Sequence, residues 1–316
     1  MFSRPRTVAD ALALLATPNA VVLSGGTDFY PQRLNRSHAG VSPEHIVDLT
    51  AIDELRGVSE TATGWRIGAT TTWTRIAEAD LPTMFDGLRS AARQVGGAQI
   101  QNVGTVAGNL CTASPAADGV PPLLTLDAVI ELQSLSGTRH VPLADFITSY
   151  RLTALQPGEL VVALGIPAVA GFMPDSAPDN GWPAVDPAAG STTSTTGGDV
   201  RSSFVKLGSR AYLVISIAMV AVLVAIENGS ITRARVAVGS CSPVARRLPL
   251  LESALVGVPI DEVAAIDQVV RTAEPEGLAP IDDVRASGDY RSTVVPRLIV
   301  DALAGCRTPL SIGQRS

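Results

Sequence analysis

The sequence predicts an α+β chain built from several packed units, and three observations carry that expectation. Short apolar runs of strand length alternate with segments of helical spacing. Asn228-Gly229 sits between two apolar or alternating runs, a strong short-range signal for an antiparallel hairpin. A stretch dense in Pro, Gly, Ser, Thr and Asp over 168–203 divides the chain. With 316 residues, 46% of them hydrophobic, there is material for roughly two or three domains.

Taken in order, Thr7 is placed to cap a helix over 9–16, with Asp10 at its third position in a near capping-box pattern. Residues 20–24 read as a short buried strand and 46–49 as another, so 1–55 forms a small α+β unit. The pattern shifts at Leu55, and 56–167 forms a second unit. Within it, 64–69 is a strand running into a turn. Leu88, Ala91, Ala92 and Val95 share one face of a helix over 86–95. Residues 128–135 alternate as a half-buried strand, Gly137 turns the chain, 139–143 return, and 160–166 form a further strand. The 168–203 stretch has little to bury and reads as a flexible linker or insertion. Order resumes at Phe204. Strands over 219–226 and 232–238 flank Asn228-Gly229, helices follow over 248–255, 260–272 and 294–303, and Gly305 ends the last. Residues 204–308 thus form a domain of antiparallel strands followed by helices.

Composition excludes several function classes. A net charge of −6 and 4% aromatic residues leave no footprint for nucleic acid. Cys111, Cys241 and Cys306 lie far apart, and His38, His45 and His140 complete no ligand set, so no protein-bound metal is expected. The low cysteine count fits a reducing cytoplasm. The N-terminus lacks an apolar leader core, and the longest apolar run, 212–226, falls short of the ~20 residues of a spanning helix, so a soluble protein with no membrane span is expected.

Two glycine stretches carry the chemistry. In VLSGGTD, Gly25 and Gly26 follow a strand and are flanked by the hydroxyls of Ser24 and Thr27 and the carboxylate of Asp28. Converging backbone N–H groups with no intruding Cβ suit a diphosphate. The pattern is neither GxGxxG nor GxxxxGK[ST], so a Rossmann unit and a P-loop are unsupported, and such a pair taken alone is more often an ordinary tight turn. The second stretch, 99–109, interleaves Gly104 and Gly108 with amides and hydroxyls and leads through Cys111 to Asp118. A long loop of small side chains suits an extended ligand, and Asp118 can accept hydrogen bonds from ribose hydroxyls. The alternative is a compact loop in which Asn109 and Ser114 bond their own backbone. Thr70-Thr71-Thr72 offers a third hydroxyl-rich segment, or simply a Thr-rich strand end. A dinucleotide is long enough to be gripped at all three places.

These residues resemble a known family. LSGGTDFYP at 23–31, RIGATTTW at 66–73 and QIQNVGTVAGNLCTASPAADGVPPLL at 99–124 are similar to the FAD-binding subunit of the molybdenum hydroxylases, the xanthine dehydrogenase and carbon monoxide dehydrogenase relatives. FVKLGSRAYLVISIAMV at 204–220 and DDVRASGDYRSTVVPRL at 282–298 resemble its C-terminal domain. The resemblance implies a two-subdomain FAD-binding fold of the PCMH/vanillyl-alcohol-oxidase type, then an α+β domain. It implies that Ser24, Gly25, Gly26, Thr27 and Asp28 embrace the pyrophosphate, helped by Thr70 and Thr71. Gly104, Thr105, Gly108 and Asn109 would line the other side, Asp118 would bond the ribose, and Leu164 and Lys206 would flank the isoalloxazine. A lysine there would stabilise the negative charge of reduced flavin.

The resemblance further implies a heterotrimer, possibly doubled. A large subunit holding molybdopterin hydroxylates the substrate, and a small subunit with two [2Fe-2S] clusters relays electrons. This chain would pass them to NAD+, oxygen or another acceptor, needing no catalytic acid or base of its own. Relatives with a [4Fe-4S] insertion are excluded as a model, since 168–203 contains no cysteine. Tyr30 could shield the flavin, and Tyr290 and Arg291 could be anchors or face the acceptor. Two other readings stay open: a stand-alone flavin oxidase or dehydrogenase of the same fold, and an assembly module that has lost flavin.

Overall fold

The structure is a computed structural model and describes residues 1–31, 45–168, 199–210, 213–273 and 277–307. Strands β1 (Phe2–Ser3), β2 (Ala20–Leu23) and β3 (His45–Asp48) form a small parallel sheet in the order β1-β3-β2. The helix Val8–Leu15 packs on it. Thr7 caps this helix as the sequence suggests, its hydroxyl oxygen accepting the Asp10 N–H at 3.1 Å. Val8, Ala11 and Leu12 bury against Val47, Leu49, Ile52 and Leu55, and the same core takes in Leu160 and Val162 from the next sheet.

That second sheet is antiparallel. It contains β4 (Val58–Thr61), β5 (Gly64–Gly68), β6 (Val129–Ser134), β7 (Gly137–Pro142) and, in the middle, β10 (Leu160–Pro167), in the order β4-β5-β10-β6-β7. β8 (Ile147–Ser149) and β9 (Leu152–Thr153) make a separate small hairpin. β10 reads LVVALGIP because it is flanked by strands on both edges and covered on both faces. Val162 faces the first core, while Leu164 and Ile166 face the second, among Trp73, Phe85 and Phe146.

The third sheet, β11 (Asp199–Leu207), β12 (Ala218–Glu227), β13 (Ser230–Gly239) and β14 (Arg246–Arg247), runs in sequence order and is wholly antiparallel. Asn228 (φ 50°) and Gly229 (φ 79°) form its two-residue turn, both in the left-handed region that this turn demands. The apolar run of β12 is explained by two partners. Ala218, Val220, Val222 and Val224 bury against the C-terminal helices, while Leu223 and Ala225 join the core of the second sheet. Met219 and Ala221 meet Ala91 and Phe204.

Order begins earlier than the sequence suggests. Asp199 to Ser203, expected within the linker, is the first half of β11. Its residues, DVRSS, carry little apolar surface, and docking supplies what hydrophobicity does not. Ser202 is buried, donates to the Met84 carbonyl at 2.7 Å and accepts the Gly87 N–H at 2.8 Å. The rest of the expected linker, 169–198, lies outside the described residues. Asp127, Arg235, Arg247 and Glu252 add a half-buried ion network between the second and third sheets, with Arg247 2.7 Å from Asp127. Burial pushes the Asp127 carboxyl up, against the pull of the two arginines.

The last helix is Gly288–Ala304, two turns longer than its apolar spacing suggests, because Ser287 caps it through the Tyr290 N–H. Arg291 resolves as an anchor: it is buried, donates to the carbonyls of Ile217 and Ser240, and pairs with Asp283 at 2.7 Å. Tyr290 remains half exposed. Cys241 and Cys306 sit in the same core, and burial pushes their thiols up to about 11 and about 12. Unfolded thiols ionise near pH ~8.5 while these stay protonated, so the unfolded chain binds fewer protons above that pH. Stability is therefore expected to be unaffected by these thiols below about pH 8.5 and to fall as pH rises from there towards 11. Urea midpoints of the wild type and of the Cys241→Ser/Cys306→Ser pair across that range check this, the wild type showing the steeper fall. Among the described residues, no helix is long and apolar enough to cross a membrane.

Candidate functional site

The three segments singled out in the sequence meet at one place. The Ser24 and Thr105 hydroxyls lie 3.1 Å apart. A Cβ built at Gly25 would lie 1.9 Å from the Val103 carbonyl oxygen, so the two glycine loops touch backbone to backbone. Gly26 has φ +73°, and its bare face abuts the Tyr30 ring. The Trp73 N–H donates to the Gly104 carbonyl (3.1 Å), that of Val106 to Thr71 (3.0 Å) and that of Ala107 to Ala69 (3.2 Å), which zips the Thr70 segment to the second glycine stretch. Ser24 to Asp28 are all half-buried. Asp28 accepts from Thr112 Oγ1 at 3.2 Å and from Arg151 at 2.9 Å.

Several expectations need correction. The stretch 99–109 is not a long loop but contributes to two short helices, Ala98–Gln101 and Val106–Thr112. Thr105 caps the second, accepting the Gly108 N–H at 3.2 Å. Gly104 and Gly108 are closely packed: added Cβ atoms would lie 2.8 Å from the Ile100 carbonyl oxygen and 2.8 Å from Thr105 Oγ1. Thr70 and Thr71 are buried, and their hydroxyls donate to the carbonyls of Leu55 (2.9 Å) and Gly57 (3.0 Å), which pins the segment. Leu164 is fully buried in the second sheet's core, opposite Ile67 and Ile130. Tyr30, whose ring the sequence cannot place, packs edge-on to Phe29 and over Gly26.

Asp118 and Lys206, expected at opposite ends of a ligand, form one buried pair. Lys206 Nζ is 2.6 Å from Asp118 and 3.2 Å from the Gln94 carbonyl, and Ser216 donates to the other carboxylate oxygen at 2.5 Å. Burial raises the Asp118 pKa, and Lys206 opposes that rise. The pair joins the segment after the glycine helix to β11, fixing the third sheet to the site. Sequence reasoning missed Ser216 and Arg151. A signal existed only for Lys206, the sole lysine among 316 residues.

The residues fit a dinucleotide on one observation above others. Asn109 Oδ1 is buried and has no hydrogen-bond partner among the described residues. A native protein rarely leaves such an atom unpaired unless a ligand or water completes it. Beside it on the same helix, Cys111 is exposed.

Two glycine loops closed against each other between α+β units, followed by a sheet-and-helix domain, define a flavin-dinucleotide-binding protein. Residues 1–169 match the family described as the FAD binding domain in molybdopterin dehydrogenase, and 203–305 match the CO dehydrogenase flavoprotein C-terminal domain. The chain is 30% identical over 312 residues to a putative xanthine dehydrogenase FAD-binding subunit of Escherichia coli, covering 96% of each. It is 34% identical over 169 residues to the carbon monoxide dehydrogenase medium chain of Afipia carboxidovorans, covering 52% of this chain and 58% of that one. Among solved structures, a chain of a Cu,Mo-CO dehydrogenase superposes with a TM-score of 0.79 at 27% identity, covering 96% of each. The chain belongs to the FAD-binding subunits of the molybdenum hydroxylase family and is an oxidoreductase subunit that carries FAD.

Proposed function

We propose that this chain is the electron-transfer subunit of a heteromeric molybdenum hydroxylase. In this reading a partner subunit holding molybdopterin hydroxylates the substrate, and a small subunit passes electrons through two [2Fe-2S] clusters. This chain delivers them to NAD+, oxygen or another acceptor. The complex is a heterotrimer, or a dimer of heterotrimers, working in the cytoplasm. Three free cysteines support that compartment. The observation that carries the reading is the meeting of the two glycine loops, with Asn109 Oδ1, on the helix that Thr105 caps, buried and without a partner among the described residues.

Ser24, Gly25, Gly26 and Thr27 would hold the diphosphate from one side, with Asp28 at the end of the same loop, and Gly104, Thr105, Gly108 and Asn109 from the other. Thr70 and Thr71 act indirectly by fixing the segment between. Asp118 holds Lys206, whose cation would balance charge gained by the ring system. Bound FAD supplies the ability to accept electrons one or two at a time; the chain's residues bind it, orient it and exclude water.

The test is anaerobic reduction of the copurified complex. Substrate is expected to bleach the flavin absorbance only when the cluster-bearing partner is present, and adding NAD+ or oxygen separately identifies the acceptor by which one restores the colour. Bleaching of the isolated chain by a small substrate would instead identify a stand-alone oxidase. The cradle is tested separately. Gly26→Val places a branched residue at φ +73° against the Tyr30 ring and is expected to abolish FAD retention, read as the flavin-to-protein absorbance ratio. A fully yellow variant would overturn the loop assignment.

A further inference from the structure

We infer that Arg151 is a positioning residue of the diphosphate loop, acting by neutralising Asp28. The inference rests on the proposed cradle and adds to it a residue from a different part of the fold. Asp28 lies within that loop, where a carboxylate would repel a diphosphate of like charge. Arg151 Nη1 approaches Asp28 Oδ2 at 2.9 Å, and Thr112 Oγ1 donates to the same oxygen at 3.2 Å. Both charged side chains are 37% exposed, so the pair sits at the edge of the site rather than in a core.

The backbone also holds the arginine in place. Arg151 lies in the turn between β8 and β9 with φ +57°, a left-handed conformation uncommon outside glycine and asparagine. Its N–H donates at 2.9 Å to the carbonyl of Ala113, the left-handed residue that ends the helix Val106–Thr112. The β8–β9 hairpin is thereby stapled to the segment that also carries Thr105, Asn109 and Thr112. Tyr150 stacks below the guanidinium, 6.0 Å from its ring centre. Asp28, Thr112 and Arg151 form one clasp that closes the first glycine loop onto the second and cancels its negative charge.

Arg151→Gln is expected to weaken FAD binding on the order of fivefold, measured by quenching of flavin fluorescence on titration into apoprotein. Two further readouts separate charge cancellation from simple support. Added salt should strengthen FAD binding by Arg151→Gln, because it screens the exposed Asp28 carboxylate, and should not strengthen binding by the wild type. Asp28→Asn should rescue Arg151→Gln, and Arg151→Lys should retain most of the affinity. If the double variant binds no better than Arg151→Gln, Arg151 does not act through Asp28 and the inference falls. If Arg151→Gln binds FAD like the wild type while Gly26→Val loses it, the cradle stands and the inference alone falls. If Gly26→Val stays yellow, both fall.

Discussion

Replacing Gly25 by alanine is expected to strip the protein of FAD and lower its melting temperature. The added Cβ would lie 1.9 Å from the Val103 carbonyl oxygen, 2.7 Å from its carbon and 2.9 Å from the Gly104 Cα. All three are backbone atoms, so no side-chain rotation relieves the clash. The two loops must part. Parting them breaks the Ser24–Thr105 hydroxyl contact and disturbs Thr105, which also caps its helix through the Gly108 N–H. Overpacking costs about 1–3 kcal/mol, occasionally more, and a clash between backbones belongs at the upper end. At about 2–4 °C per kcal/mol for a domain of 150–250 residues, the loss is readily seen in a melting curve of apoprotein. Flavin content of the purified variant gives the second readout. A variant with full flavin and an unchanged melting temperature would show that the loops do not meet as described.

Gly25 also marks how far the sequence could be read. The glycines are visible as a pair after a strand, and their place in the site follows from that. The atom that excludes a side chain at Gly25 is not visible, because it belongs to Val103, far along the chain, and only the folded structure brings the two together. The hairpin at Asn228-Gly229 was legible since its signal is local and steric. The apolar run of β12 was legible as buried, though not as a strand shared between two cores. Residues 99–109 were misread because helices of four and seven residues are too short to display a period, and Thr105 specifies the second by a cap rather than by a stripe. The polar opening of β11 was missed for a related reason: its order comes from Ser202 bonding to Met84 and Gly87, not from its own apolar content. The burial of Leu164 was not legible from alternation, because β10 is buried along its length and shifts register between Val161 and Ala163.

The Asp118–Lys206 pair, separated by 88 residues, left no local trace, and its removal gives the second large effect. Lys206→Met leaves the Asp118 carboxylate buried with Ser216 as its remaining side-chain donor. Breaking one partner of a buried ion pair costs about 3–5 kcal/mol, since the remaining charge is uncompensated. These side chains are only 6% and 8% exposed, so solvent cannot compensate. The double replacement Lys206→Met/Asp118→Leu is expected to recover most of the loss, because no charge then stays behind.

The pH dependence has a definite sign. Burial already raises the Asp118 pKa, and losing Lys206 removes the main influence opposing that rise. The folded carboxyl of the variant then holds its proton above the unfolded value of about 3.9, so the folded state binds more protons between those two values. Stability of Lys206→Met should therefore fall relative to wild type as pH rises through that window, and the gap should narrow on acidification. Urea midpoints across the acidic range measure it. The flavin separates architecture from chemistry: if Lys206 also supplies a cation to the reduced ring, Lys206→Met and the double variant should both lower the flavin reduction potential, although the double variant has regained its stability. A potential that recovers together with stability would confine Lys206 to holding the third sheet against the site.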